Sequence, residues 1–243
     1  MIKYINKFLE RKVAMILGIL GGMGPLATCI FFEKIIKLTK AEKDQDHIHV
    51  IMDSNTKIPD RTDYILGKGP DPRPELIRSA VKLESMGADY IAIPCNTAHY
   101  FYDDIVKHTK AKVLNMIEET AAYLKENYKD HKDFLLLATK GTYEAEIYKN
   151  VFKKYQLNII VPEEKDKNIV MDWIYGVKSS VFDVTAEDFE KLIDKYNNGK
   201  NIPAILGCTE LSTLAEMLDI SRSYVDPLHL LAQKCIKLHE EKK

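Results

Sequence analysis

The chain has 243 residues, room for one large α/β domain or two small ones, and its 46% hydrophobic and 29% charged content is that of an ordinary soluble globular protein. A formal net charge of −1 supplies no global basic field for nucleic acid or an anionic membrane surface. No apolar run approaches the ~20 residues that span a bilayer, so neither nucleic acid nor membrane is expected as a partner and the chain reads as cytoplasmic.

In chain order, the residues through Lys12 read as a short amphipathic helix with Ile2, Ile5, Phe8 and Leu9 on one face. They carry no small-residue cleavage site and so are not read as a signal peptide; Met15 offers an alternative start. Residues 14–20 form a strand-like run that breaks at Gly21-Gly22-Met23-Gly24-Pro25. A helix follows to about Lys40, with Leu26, Ile30, Phe31, Ile35 and Leu38 as its apolar positions and Pro25 in its first turn. Strand, glycine turn and helix together make an anion-binding geometry. The turn is not GxGxxG and lacks a clear ribose-binding acid, which argues against a dinucleotide.

A second strand at 47–53 leads into a polar segment, 54–63, and then the Gly/Pro-rich stretch 67–74, which predicts no regular structure. A polar loop of this length in a compact domain is often a lid or binding loop. Arg61 stands out in it, because a guanidinium grips carboxylates bidentately; the alternative is a solvated surface arginine. A helix over 75–86 stops at Gly87, and a strand at 90–93 runs into Pro94-Cys95-Asn96-Thr97-Ala98-His99, with a helix from about Ala98. A short strand at 112–116 and a helix at 118–128 complete the first half.

The pattern then restarts. A strand at 134–138 meets the turn Thr139-Lys140-Gly141-Thr142, followed by a helix at 143–155 and a strand at 157–161. Helices near 166–177 and at 186–196 flank Lys178-Ser179-Ser180, and a strand at 204–206 ends in Gly207-Cys208-Thr209-Glu210. Tyr224-Val225 is a last strand before Asp226-Pro227 and a terminal helix. Strands alternating with helices predict mostly parallel sheets covered on both faces. A Gly-bearing turn opens each half, and a strand–Cys–Thr unit follows 71 positions after Gly24, at Cys95, and 67 after Gly141, at Cys208. The expected architecture is two similar doubly wound, Rossmann-like α/β lobes, 1–111 plus 222–243 and 112–221, with a cleft between them where strand ends bind ligands.

Of the four cysteines none forms a CxxC, and no His/Cys cluster has zinc spacing, so no metal is expected. Cys29 and Cys235 sit in apolar helix patterns and read as buried, reduced thiols. Cys95 and Cys208 lie at strand ends that face the cleft, where a helix dipole would favour thiolate. A single nucleophilic thiol usually brings an activating His. His99 is one turn past Cys95 and not aimed at its sulfur, and Cys208 has no nearby His. Two thiols on opposite walls suit inversion of a stereocentre instead: one takes a proton from one face of a carbon and the other returns a proton to the opposite face. The planar enediolate between these steps needs hydrogen-bond donors, for which Asn96, Thr97 and Thr209 are suitable, and the route needs no cofactor.

Gly21-Gly22-Met23-Gly24-Pro25, Pro59-Asp60-Arg61-Thr62, Pro94 to His99 and Gly207-Cys208-Thr209-Glu210 resemble the motifs of the aspartate/glutamate racemase family, most closely its aspartate racemase branch, over nearly the whole chain from Met15 on. The resemblance implies two Rossmann-like lobes, a homodimer, independence of PLP, Cys95 and Cys208 as the two acid/base catalysts, and Arg61 and Lys178 as binders of a small dicarboxylic amino acid. The candidate substrate-binding positions are Met23, Arg61, Asn96, Thr97, Thr139, Gly141, Thr142, Lys178, Thr209 and Glu210. Aspartate leads as substrate. Glutamate or a broader amino-acid range, a related cysteine-pair isomerase or lyase of another small acid, a dicarboxylate-binding protein, and a redox sensor closing a Cys95–Cys208 disulfide are the alternatives, since one methylene is worth only ~1–3 kcal/mol of discrimination.

Overall fold

The computed structural model describes residues 15–197, 199, 201–220 and 223–242. The amphipathic helix expected through Lys12 lies outside them. The first sheet contains β1 (Ile16–Gly21), β2 (His49–Ser54), β3 (Tyr90–Ala92) and β4 (Lys112–Val113) in the order β2-β1-β3-β4, all parallel. The second contains β5 (Asp133–Ala138), β6 (Asn158–Ile160), β7 (Ala204–Gly207) and β8 (Tyr224–Val225) in the matching order β6-β5-β7-β8, again all parallel. The central strands β1, β5 and β7 are almost wholly buried, as the unbroken apolar runs Ile-Leu-Gly-Ile-Leu and Phe-Leu-Leu-Leu-Ala require of strands covered on both faces.

Eleven α-helices are described: α1 (Pro25–Leu38), α2 (Arg61–Ile65), α3 (Arg73–Ser85), α4 (Tyr102–Val106), α5 (Met116–Asn127), α6 (Lys140–Glu144), α7 (Ile147–Lys154), α8 (Glu164–Ser179), α9 (Ala186–Asn197), α10 (Thr209–Met217) and α11 (Pro227–Lys242). Among the described residues none is long and apolar enough to cross a membrane. One core lies under α8, α9 and α10 and includes Cys208. A second lies between the first sheet and α3 and includes Cys95. α5 and α11 pack on each other and serve both lobes. Met116 of α5 and Leu228, Leu231, Ala232, Cys235 and Ile236 of α11 join the first sheet, whereas Ile117, Ala121 and Leu124 of α5 and Leu230 of α11 join the second. Each fully buried Leu or Ile in that shared layer contributes roughly 1.5–3 kcal/mol.

Several boundaries differ from expectation. β4 pairs with β3, so the chain leaves the first sheet after Val113 rather than at 111. β8 pairs with β7, so Tyr224 and Val225 belong to the second sheet and not with the terminal helix in the first lobe. The helix expected at 143–155 is broken: Glu146 adopts a left-handed conformation (φ 48°) between α6 and α7. In place of the helix expected from Ala98, a 3-10 turn (Thr97–Phe101) precedes the five-residue α4. Within the expected polar loop Asp60 caps α2, its carboxylate accepting from the Thr62 and Asp63 N–H groups at 2.8 and 3.0 Å. Cys235 is buried as expected, but Cys29 is exposed, because α1 buries Ala27, Thr28, Phe31 and Ile35 and turns Leu26 and Cys29 outward.

Candidate active site

The carboxyl ends of β1, β3, β5 and β7 converge on a narrow, nearly closed chamber with a cavity volume of about 10 Å3. Met23, Asp60, Arg61, Thr62, Cys95, Asn96 and Thr97 line it from the first lobe, and Thr139, Lys178, Cys208, Thr209 and Glu210 from the second. It shares Met23, Asp60, Arg61, Lys178 and Glu210 with a wider vestibule of about 400 Å3 that has apolar walls at Pro25, Leu26, Ile58 and Val177. Gly22, at the foot of the vestibule, has φ +91° and lies against the Asn55 backbone, where a Cβ would sit 2.5 Å from the carbonyl carbon; only glycine fits.

Arg61 is the first residue of α2, and Asp60 at the N-cap holds that helix end in place. The guanidinium is buried. Its Nη1 donates to the Ile58 and Pro59 carbonyls at 3.3 and 2.9 Å and its Nη2 to the Met23 carbonyl at 3.5 Å, while Nε has no partner. Lys178, in the last turn of α8, lines both chamber and vestibule, and its ammonium lies 4.9 Å from the centre of the Tyr175 ring. Burial of the ammonium would lower its pKa, but Glu210, then Cys208 and Asp60, outweigh burial and raise it.

The two thiols have unlike surroundings. Cys208 follows β7 as the N-cap of α10, and its Sγ donates to Oε2 of Glu210 at 2.9 Å. Burial pushes this thiol well above its ordinary pKa and the Glu210 carboxylate pushes it further, with Lys178 opposing. The helix dipole expected to favour thiolate here is therefore outweighed by desolvation and by a carboxylate at the sulfur. Cys95 follows Pro94, beyond the end of β3, and its carbonyl rather than its sulfur is engaged: His99 Nδ1 lies 2.9 Å from Cys95 O. His99 Nε2 accepts from the Met116 N–H at 3.1 Å, so the ring proton sits on Nδ1, and burial lowers the ring's pKa. His99 is thus a neutral bridge between the Cys95 turn and the start of α5.

Thr97, Thr139 and Thr142 form a triangle of hydroxyls, each pair 3.0 Å apart, that joins the two lobes. Each hydroxyl has one proton, and a three-membered ring uses all of them. Thr97, expected as a free donor, is committed to this ring, and Thr209 is likewise committed, its hydroxyl donating to Glu210 at 3.3 Å. Thr142 and Gly141 stand behind the chamber rather than in its lining. Gly141 packs face to face with α2; an added Cβ would lie 2.9 Å from Thr62 Cα. Asn96 keeps a buried, unpartnered Nδ2, while its Oδ1 accepts from the Tyr148 hydroxyl at 2.6 Å. Asp60 and Thr62 are lining residues that the candidate set lacked; their presence in the Pro59–Thr62 motif is the signal that could have added them. Tyr148 carries no such signal. Among the described residues no group of three or more His, Cys, Asp or Glu side chains is placed to hold a metal ion.

The Asp/Glu/hydantoin racemase family model matches residues 20–235. The chain is 30% identical over 230 residues to the broad specificity amino-acid racemase RacX of Bacillus subtilis, covering 92% of this chain and 97% of that protein. Its structure is similar to that of the aspartate racemase of Picrophilus torridus, with a TM-score of 0.76 and 33% identity over 93% of this chain and 94% of that one. It is also similar to an aspartate racemase homologue of Pyrococcus horikoshii, with a TM-score of 0.73 and 25% identity over 92% and 98% of the two chains. The glutamate racemase of Francisella tularensis shares the fold, with a TM-score of 0.63 at 17% identity over 95% of this chain and 82% of that one.

Proposed function

The chain belongs to the Asp/Glu/hydantoin racemase family, and from that premise we propose that it is a PLP-independent amino-acid racemase of aspartate, with Cys95 and Cys208 as its two acid/base groups. One observation carries this reading: a thiol from each lobe and the two unpartnered buried donors, Arg61 Nε and Asn96 Nδ2, belong to residues lining one chamber. Buried donors left without protein acceptors cost about 1–3 kcal/mol each, which an anionic ligand offsets. Arg61 and Lys178 supply one cation per wall, suited to the two carboxylates of aspartate.

In the proposed cycle Cys208 starts as the thiol, consistent with its burial and its bond to Glu210. Cys95, as thiolate, takes the α-proton: the Cα–H bond breaks, an S–H bond forms, and the electron pair moves into the carboxylate as an enediolate held by Arg61 and Asn96. Cys208 then delivers its proton to the opposite face, and the configuration is inverted. The reverse substrate uses the same atoms with the sulfur roles exchanged. The proposal includes a homodimer in solution, which sedimentation equilibrium reads directly.

A second reading, a broader amino-acid range, is favoured by Asp60 and Glu210, two acidic residues of the same lining that offset its two cations. The test is incubation of the purified protein, without PLP, with L-aspartate and then a panel of L-amino acids in D2O. Deuterium at Cα together with falling optical rotation for aspartate is the expected result. Faster loss of rotation with monocarboxylic amino acids transfers the assignment to the second reading, and exchange with none removes the racemase reading.

A further inference from the structure

The donors around the chamber differ in how firmly they are aimed. Arg61 is fixed by three backbone carbonyls. Asn96 is a primary amide, and half a turn about its last side-chain bond exchanges the oxygen and the nitrogen in space. In one orientation it offers a donor to an anion and in the other a lone pair, which repels it. Something must choose between them.

Tyr148 is the group in contact. It lies on α7 of the second lobe, is almost completely buried, and packs against Phe152 with ring centroids 5.4 Å apart. Its hydroxyl is 2.6 Å from Asn96 Oδ1, a separation typical of O–H···O and too short for an ordinary N–H···O bond. Burial also keeps the phenol protonated, with its pKa well above the ordinary tyrosine value. With Oδ1 occupied, Nδ2 is left with no protein acceptor. Asn96 lines the chamber and Tyr148 does not.

We propose that Tyr148 is a positioning residue for the reaction: from the opposite lobe it locks the Asn96 amide in the orientation that presents Nδ2–H to the substrate carboxylate. The inference rests on the racemase reading above. As the α-proton leaves, negative charge grows on the carboxylate oxygens, so a donor aimed at them binds the transition state more tightly than the ground state. Loss of the lock therefore lowers kcat more than it raises KM.

The test measures kcat and KM of the wild type and of Tyr148→Phe, Asn96→Ala, the Y148F/N96A double variant and Asn96→Asp, each with a thermal melt. Y148F is expected to lose about ten- to hundredfold in kcat, the range for a hydrogen bond to a charged group, with KM close to wild type. In the N96A background Y148F should cost nothing further, because its effect runs through the amide. N96D keeps the acceptor for Tyr148 and removes the donor, so it should lose at least as much as Y148F. A lower melting temperature with wild-type kcat in Y148F, or effects of Y148F and N96A that multiply, would overturn the proposal. Should Y148F not fold, N96D with wild-type kcat overturns it alone. Absence of turnover by the wild type on every amino acid tested removes the racemase reading and this inference with it, whereas wild-type turnover with an unaffected Y148F removes this inference only.

Discussion

The turns that carry Cys95 and Cys208 occupy matching places in two sheets of matching strand order. Their surroundings nonetheless differ in kind. At Cys208 the thiol directly follows β7, caps a nine-residue helix and donates a hydrogen bond to Glu210, two residues on. At Cys95 a proline separates strand from thiol, a 3-10 turn replaces the helix, and the group four residues on, His99, holds the backbone instead of the sulfur. The repeated fold decides where the sulfurs go, while burial and one neighbouring side chain, Glu210, hold Cys208 in its thiol form. In the proposed cycle this difference is what lets a near-symmetric scaffold assign the acid to one wall and the base to the other.

The harshest way to break the comparison is to delete one side of it. Cys95→Ala or Cys208→Ala is expected to lower racemisation by about 10²–10⁴-fold, the usual worth of a positioned acid or base, as read by polarimetry. Cys→Ser at one wall should leave α-proton exchange from the other, visible by NMR in D2O with optical rotation unchanged. Next come the two cations. Lys178→Ala should lower kcat/KM for aspartate about 10- to 100-fold with little change in melting temperature. Arg61→Ala should match that loss, leave alanine turnover less affected, and also lower the melting temperature, because it orphans the carbonyls of Ile58, Pro59 and Met23.

Glu210→Gln makes the Cys208 wall more like its counterpart. The carboxylate raises the thiol's pKa, so a neutral amide lowers it, and the acid form is lost at lower pH. The alkaline limb of the pH–rate profile should move down, measured for both enantiomers; an unmoved limb would detach Glu210 from the sulfur. The mildest effect is at His99. Its buried ring has a pKa below the ordinary 6.5, so as pH falls below that value the unfolded chain binds a proton the native ring resists, and stability is lost. His99→Gln should flatten this acid limb in urea melts at pH 5 to 7.

The sequence carried the fold well wherever apolar runs were long. β1, β5 and β7, with the helices between them, follow from alternation and glycine turns. What periodicity could not supply was the allegiance of two-residue strands: neither Lys112–Val113 nor Tyr224–Val225 is long enough to reveal its sheet, and each joined the other one. The motifs likewise brought Cys95, Cys208, Arg61 and Glu210 to one chamber, since strand ends in parallel sheets face a common cleft, and Lys178, implied only by the wider resemblance, joins them from the last turn of α8. The resting state of Cys208 was not legible. Helix position argued for thiolate, while burial and the Glu210 contact, both tertiary, argue more strongly for thiol. Tyr148 was invisible for the same reason: 52 residues separate it from Asn96, and an aromatic in a helical pattern reads as core.

The shared position of α11 has a consequence for how the two lobes come apart. Met15, Leu17 and Ile19 lie in one cluster with Leu228, Leu231, Cys235 and Ile236 of α11, while Leu230 of the same helix belongs to the cluster of the second sheet. Neither lobe can open without stripping apolar contacts from the helix that completes the other, so unfolding is expected to run through both as one cooperative unit, with a single melting transition rather than two.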